Sequence, residues 1–316
     1  MADSSFAIVF PGQGSQSVGM LKELAGEHPQ VTDTFEEASE RLGYDLWRVV
    51  QEGPADELNR TAVTQPAMLA AGVAVWRVWK ALGGADPAIM AGHSLGEYSA
   101  LTSAGAISFG DAVALVAERG RLMQEAVPAG EGAMAAILGL EDEKVRGLCS
   151  EAAAGEVVEA VNYNSPGQVV VAGSSSAVER LIELAKSAGA KRALKLPVSV
   201  PSHCALMKPA AEKLAARLEE VELQMPAIPV LHNVTVAPAA DVSDLRRQLA
   251  QQLYSPVRWV ETVQRMAGQG SDIVLEMGPG KVLTGLNKRI DRNIKGLAVF
   301  DADGLESALE ATPHVE

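Results

Sequence analysis

The sequence predicts an α/β fold, a parallel sheet covered by helices on both faces, interrupted by a smaller β-α-β-β-α-β unit. Three observations carry this. Short apolar runs alternate with longer helical stretches, the rhythm of strand–crossover–strand units. The middle third changes to strand-helix-strand-strand-helix-strand, the split motif of a ferredoxin-like domain. The composition, 47% hydrophobic but only 4% aromatic, suits small-residue helices packed closely on a sheet.

The elements follow in order. Residues 6–10 are an apolar run stopped by Pro11 and Gly12, a buried parallel strand meeting a loop. Residues 31–50 and 65–81 have helical patterns. Residues 88–91 form a short strand that runs into Gly92-His93-Ser94-Leu95-Gly96 and then a helix to about Ala104; residues 111–126 are another helix. In the middle third, strands at 133–138, 157–161, 168–172 and 191–196 enclose helices at 141–152 and 175–188, with a turn at 164–167. Pro128 and Pro197 bracket this unit. The expected domains are therefore 1–128 joined with 198–316, and an insert of 129–197. Strands at 228–233 and 273–276 resume the large-domain rhythm, the second ending in Gly278-Pro279-Gly280.

A formal net charge of -13 disfavours nucleic acid and anionic membranes. An acidic partner would need a local basic patch. Two candidates exist: Lys281, Lys288, Arg289, Arg292 and Lys295, and Lys191, Arg192 and Lys195. Cys149 and Cys204 form no C-x-x-C pair and no Cys/His ligand spacing, so neither disulfide nor metal is expected, and the setting reads as cytoplasmic. The run 6–11 is too short for a signal or a membrane span. A monomer is expected.

Gly92-His93-Ser94-Leu95-Gly96 matches the nucleophile elbow G-x-S-x-G. A serine nucleophile must project from a sharp strand-to-helix turn, with small flanking residues so that backbones can approach. The Leu95 N–H, at the start of the following helix, is a candidate oxyanion donor. A hydroxyl needs a base. Of five histidines, His28 precedes a proline, His314 lies in the tail, and His93 adjoins Ser94, where it reads as a supporter of the elbow. His203, in the loop Pro201-Ser202-His203-Cys204, is favoured over His232, at the end of a strand, because catalytic groups tend to sit on loops held by a scaffold. His232 stays open on this reading. Arg119 falls inside the apolar stripe of its helix, beside Gly120. A guanidinium aimed inward costs several kcal/mol unless paired. It is either a clamp for an acidic substrate or one half of an internal ion pair. The loop Phe10-Pro11-Gly12-Gln13-Gly14-Ser15-Gln16 lacks the lysine of a phosphate loop and offers Gln13 as a second backbone donor.

Together these stretches resemble the malonyl-CoA:acyl carrier protein transacylases. The matching segments are FPGQGSQ (10–16), TQPA (64–67), AGHSLGEYSAL (91–101), ERGRLMQEAVP (118–128), NYNSPGQVV (162–170), VSVPSHCALMKPA (198–210), QLYSPVRW (252–259) and EMGPGKVL (276–283), in the family's order and over nearly the whole chain. The resemblance implies an α/β-hydrolase-like large domain with a ferredoxin-like insert. It implies Ser94 as nucleophile and His203 as base, oriented by the main-chain carbonyl of Gln252. It also implies Gln13 and Leu95 as oxyanion donors, Arg119 as the binder of the malonyl carboxylate, and His93 as support. No cofactor is implied beyond the coenzyme A thioester that serves as substrate, and the implied partner is acyl carrier protein. Loading for polyketide synthesis would need the same site, and the elbow alone is compatible with a serine hydrolase. Small Ser202 and aliphatic Leu95 are compatible with a malonyl group.

Overall fold

The computed structural model describes residues 5–198 and 200–313; His314 and one position of the apolar run 198–200 lie outside the described residues. The described strands are β1 (Ser5–Phe10), β2 (Ile89–Gly92), β3 (Gly132–Leu138), β4 (Val158–Ser165), β5 (Gln168–Ser174), β6 (Arg192–Lys195), β7 (Val230–Leu231), β8 (Ser271–Met277) and β9 (Lys295–Val299). They form two sheets. The larger is parallel throughout, in the order β7-β2-β1-β8-β9.

Strand β1 shows why its sequence is a continuous apolar run rather than an alternation. Successive side chains point to opposite faces, and both faces are buried. Phe6, Ile8 and Phe10 join the core beneath the helix Thr61–Ala81. Ala7 and Val9 join a second core with Ala91, Leu231, Trp259 and Leu283. The helix Thr61–Ala81 is buried almost all round, and its small residues let it lie close to the sheet. A Cβ on Gly72 would sit 3.0 Å from the Phe10 ring and 3.2 Å from Ser99 Cβ.

The smaller sheet is antiparallel, in the order β4-β5-β3-β6. Helices Asp142–Ala153 and Ser175–Ser187 cover one face over Ala135, Ile137, Val169 and Val171. The other face turns Met134, Val161, Val170 and Ala172 toward Cys204 and the segment before it. An isolated parallel bridge between Asn162 and Val257 ties β4 to the segment before the helix Trp259–Gly268.

Some expectations are corrected. The helix expected over 31–50 is two helices, Pro29–Leu42 and Leu46–Glu52. Gly43 ends the first in the left-handed conformation (φ 77°), and Asp45 caps the second by accepting from the Arg48 N–H at 2.9 Å. The helix expected to start at residue 65 starts at Thr61; Pro66 reads as a first-turn residue but lies inside the helix. The strand expected over 228–233 shortens to β7, and beyond it Asn233 reaches the turn at Ser94 while His232 packs against Glu97. Strand β9 had no counterpart in the sequence reading. It is the edge of the sheet, only partly buried, and so lacks the apolar run that marks a central strand.

Candidate active site

The site sits beyond the C-terminal ends of β1, β2 and β7, where open parallel sheets place their ligands. Phe10 pairs with Gly92, and Ala91 with Leu231. The loops that follow these three strands therefore converge. Ser94 sits in the turn after β2 with φ +51°, a left-handed conformation costly for a residue with a Cβ. The strain is held by packing. A Cβ on Gly92 would fall 1.9 Å from the Gly96 carbonyl carbon, and one on Gly96 would fall 2.1 Å from the Phe10 oxygen. Asn233 clamps the turn from the β7 side. Its Oδ1 accepts from the Ser94 N–H at 2.8 Å and its Nδ2 donates to the Gly92 carbonyl at 2.7 Å.

His203 Nε2 lies 2.7 Å from Ser94 Oγ, although the two are 109 positions apart. The other ring nitrogen, Nδ1, lies 2.8 Å from the Gln252 main-chain carbonyl, which can only accept. Nδ1 therefore carries the ring proton, and Nε2 presents its lone pair to the serine. His203 also has a positive φ of 68°, held by its own N–H donating to the Leu253 carbonyl at 2.8 Å. It is 3% exposed. Burial pushes its pKa down to about 3, the Arg119 charge adds to this, and the hydrogen bond to Gln252 opposes it. His232, the other candidate, lies elsewhere. It is wholly buried with Nδ1 2.7 Å from Glu97 Oε1.

Arg119 lies on the helix Phe109–Ala126 and is 1% exposed. Gly120 lets that helix approach its neighbour, since a Cβ there would be 2.8 Å from the Thr61 oxygen. The hydrogen-bond partners of the guanidinium are neutral: Gln65 Oε1 at 2.8 Å and Gln252 Oε1 at 3.0 Å. Its Cζ lies 5.4 Å from the Tyr98 ring centroid. Among the described residues it has no ion-pair partner. Burial lowers its pKa, and the neighbouring Tyr98 and Glu97 oppose that shift.

One cavity of about 120 Å³ is lined by Gln13, His93, Ser94, Leu95, Arg119 and His203, with Met123, Met134, Val200 and Ser202 among its other walls. Gln13 reaches it because Gly12 passes close to the elbow; a Cβ on Gly12 would be 2.5 Å from the His93 oxygen. Among the described residues the N–H groups of Gln13 and Leu95 donate to no protein acceptor, whereas that of Ser94 is taken by Asn233. His93 Nε2 lies 2.8 Å from Asn164 Oδ1 on β4, which ties the elbow to the smaller sheet. Burial lowers the His93 pKa.

Six of the predicted residues thus line one cavity, with the Gln252 carbonyl bonded to the His203 ring behind it. Sequence reasoning did not single out Gln65, Glu97, Asn233 or the side chain of Gln252. The available signal was a polar residue inside an apolar run, as with Gln65 in its buried helix and Glu97 just after the elbow. Among the described residues no group of three or more His, Cys, Asp or Glu side chains is placed to hold a metal, and no helix is long and apolar enough to cross a membrane. Cys149 and Cys204 are free and buried.

A serine within hydrogen-bond reach of an imidazole, beside two backbone N–H groups without an acceptor among the described residues, on an α/β scaffold, is the constellation of an acyl-transferring enzyme. The chain belongs to the acyl transferase domain family, whose model matches residues 7–300. Within that family it is similar to the malonyl CoA-acyl carrier protein transacylase of Salmonella typhimurium, at 58% identity over 306 residues, covering 97% of this chain and 99% of that one. An acyl carrier protein S-malonyltransferase from Vibrio cholerae superposes with a TM-score of 0.94 at 61% identity, covering 96% and 99% of the two chains. A malonyl-transacylase solved in complex with a type II PKS acyl-carrier protein superposes with a TM-score of 0.97 at 58% identity, covering 98% and 100%.

Proposed function

We propose that this enzyme transfers a malonyl group from malonyl-CoA to the phosphopantetheine thiol of acyl carrier protein, through an ester on Ser94, in fatty acid biosynthesis. One observation supports it above the others. A serine–histidine pair at 2.7 Å opens onto the same cavity as a buried arginine that no carboxylate pairs directly among the described residues.

Ser94 Oγ attacks the thioester carbonyl carbon while its proton passes to His203 Nε2. The carbonyl π pair moves onto oxygen, where the N–H groups of Gln13 and Leu95 receive it; losing one such donor typically costs ~3 kcal/mol. As the tetrahedral intermediate collapses, the C–S bond breaks and coenzyme A leaves as the thiol, taking the proton from His203. The carrier-protein thiol then attacks the malonyl ester, giving its proton to His203, and Ser94 departs with that proton. Arg119 holds the free carboxylate throughout. His93 supports the elbow, and the Gln252 carbonyl fixes the His203 tautomer. Every step is carried by these groups, so no metal or cofactor is required beyond the pantetheine arms of the substrates.

We take 129–197 as a domain inserted into one made of 1–128 and 198–316, a division supported by its separate sheet and apolar core. Two free thiols fit a cytoplasmic setting. We also assign carrier-protein docking to the basic surface. Arg289 donates to Gln168 Oε1 on β5 at 2.8 Å, Gly139 donates to the Gly167 carbonyl at 2.7 Å, and Lys191 packs over Gly139. These contacts bring Arg289 and Lys191, one residue from each basic cluster, to the turn that follows Asn164.

Initial rates at varied malonyl-CoA and several fixed carrier-protein concentrations test the two-step scheme. A covalent intermediate predicts parallel double-reciprocal lines; intersecting lines would mean that both substrates must bind together.

A further inference from the structure

We propose that Glu97 is a positioning residue for the acyl-group carboxylate: through the Gln252 amide it aims Arg119 and supplies that guanidinium's resident counter-charge. The inference rests on the reading of Arg119 as the clamp.

Glu97 lies behind the elbow on the helix Gly96–Ser103 and is wholly buried. Its carboxylate accepts from the Asn233 N–H at 2.8 Å, from Gln252 Nε2 at 2.9 Å, and from His232 Nδ1 at 2.7 Å. Gln252 Nε2 also donates to the Ser94 carbonyl at 3.0 Å, while its Oε1 accepts from Arg119 Nη2 at 3.0 Å. One carboxamide is thus strung between a buried anion and a buried cation.

The direction of that carboxamide is forced. A carboxylate and a carbonyl can only accept. Facing both, Gln252 must turn its NH2 toward them, which leaves its oxygen for Arg119. An amide at position 97 weakens the constraint, because it can donate as well and leaves the Ser94 carbonyl as the one obligate acceptor on that side. The Gln252 group then turns over more readily, setting an N–H against the N–H groups of Arg119, two donors with no acceptor between them. The guanidinium would lose one of its two hydrogen-bond anchors, the other being Gln65. Glu97 has a second branch through Asn233 to the Ser94 turn. A test must therefore separate the clamp from the nucleophile.

Transfer of acetyl, which has no carboxylate, reports the serine–histidine pair alone, and the malonyl-to-acetyl ratio of kcat/KM reports the clamp. In Glu97→Gln and in Gln252→Met, with folding checked by thermal melts, this ratio falls at least ~10-fold. Gln252→Met keeps the backbone carbonyl that orients His203. The double variant loses no more than Gln252→Met alone, because both residues lie on one path. Should Glu97→Gln not fold, the ratio in Gln252→Met alone decides. A folded variant with the wild-type ratio, or losses that add in the double variant, overturns the inference. Arg119→Ala is the reference: if it too keeps the wild-type ratio, the clamp reading itself fails. If it loses the ratio while Glu97→Gln and Gln252→Met keep it, only the role of Glu97 fails.

Discussion

The proposed role of His203 as base rests on a ring that is held neutral. Its pKa of about 3 comes first from burial and second from the positive charge of Arg119. The pH profile of kcat/KM for malonyl-CoA, which reports the free enzyme, accordingly carries no acid limb near the ordinary histidine value of 6.5. The limb lies lower. Removing the cation in Arg119→Ala, followed with acetyl-CoA, moves the limb back up toward 6.5. A wild-type limb centred near 6.5 would contradict the burial of this ring as the structure has it. The same shift acts on stability. The unfolded chain takes up a proton at this residue more readily than the folded one, so the stabilising contribution of the neutral ring is complete above 6.5 and is lost as pH falls toward about 3.

At the scale of elements, the site depends on three strand ends and the loops they bring together, with glycines setting the closest approaches. Gly96→Ala drives a Cβ to 2.1 Å from the Phe10 backbone oxygen, and neither backbone can yield without moving Ser94. We expect a stability loss of about 1–3 kcal/mol and a fall in Ser94 acylation of ~100-fold, read by thermal melts and by the rate of adduct formation. Gly110→Ala, where nothing lies within 4 Å, changes stability by no more than ~0.5 kcal/mol. Equal effects at the two positions would remove close packing as the cause. Such local requirements are what the sequence displays: the elbow, the glycine loop of Gln13 and the apolar stripe around Arg119 were legible because each constrains neighbouring residues. The base was less so. His203 meets Ser94 across 109 positions, and local pattern alone left His232 open until the family resemblance decided between them. Asn233 and the Gln252 side chain were silent, since their roles arise from contacts across up to 158 positions, and Glu97 showed only as a charge just after the elbow. Strand β9 escaped because an edge strand with a polar start has little apolar signature.

At the scale of the molecule, a chain of net charge -13 needs local positive charge wherever it is to receive an acidic partner. Lys281, Lys288, Arg289, Arg292 and Lys295 form no ion pairs among the described residues, and Arg289 reaches across to the smaller sheet. Attraction confined to such a patch acts on encounter and register more than on chemistry. Charge reversal at Lys288 and Arg289 should therefore slow the discharge of the acyl-enzyme by carrier protein and leave loading from malonyl-CoA unchanged. The central claim is that Ser94 carries the malonyl group between the two thiols. It is tested most directly by weighing the intact protein after incubation with malonyl-CoA. The account predicts one malonyl adduct, absent in Ser94→Ala and discharged when carrier protein is added. An adduct that survives in Ser94→Ala, or one that water removes as fast as carrier protein does, would contradict it.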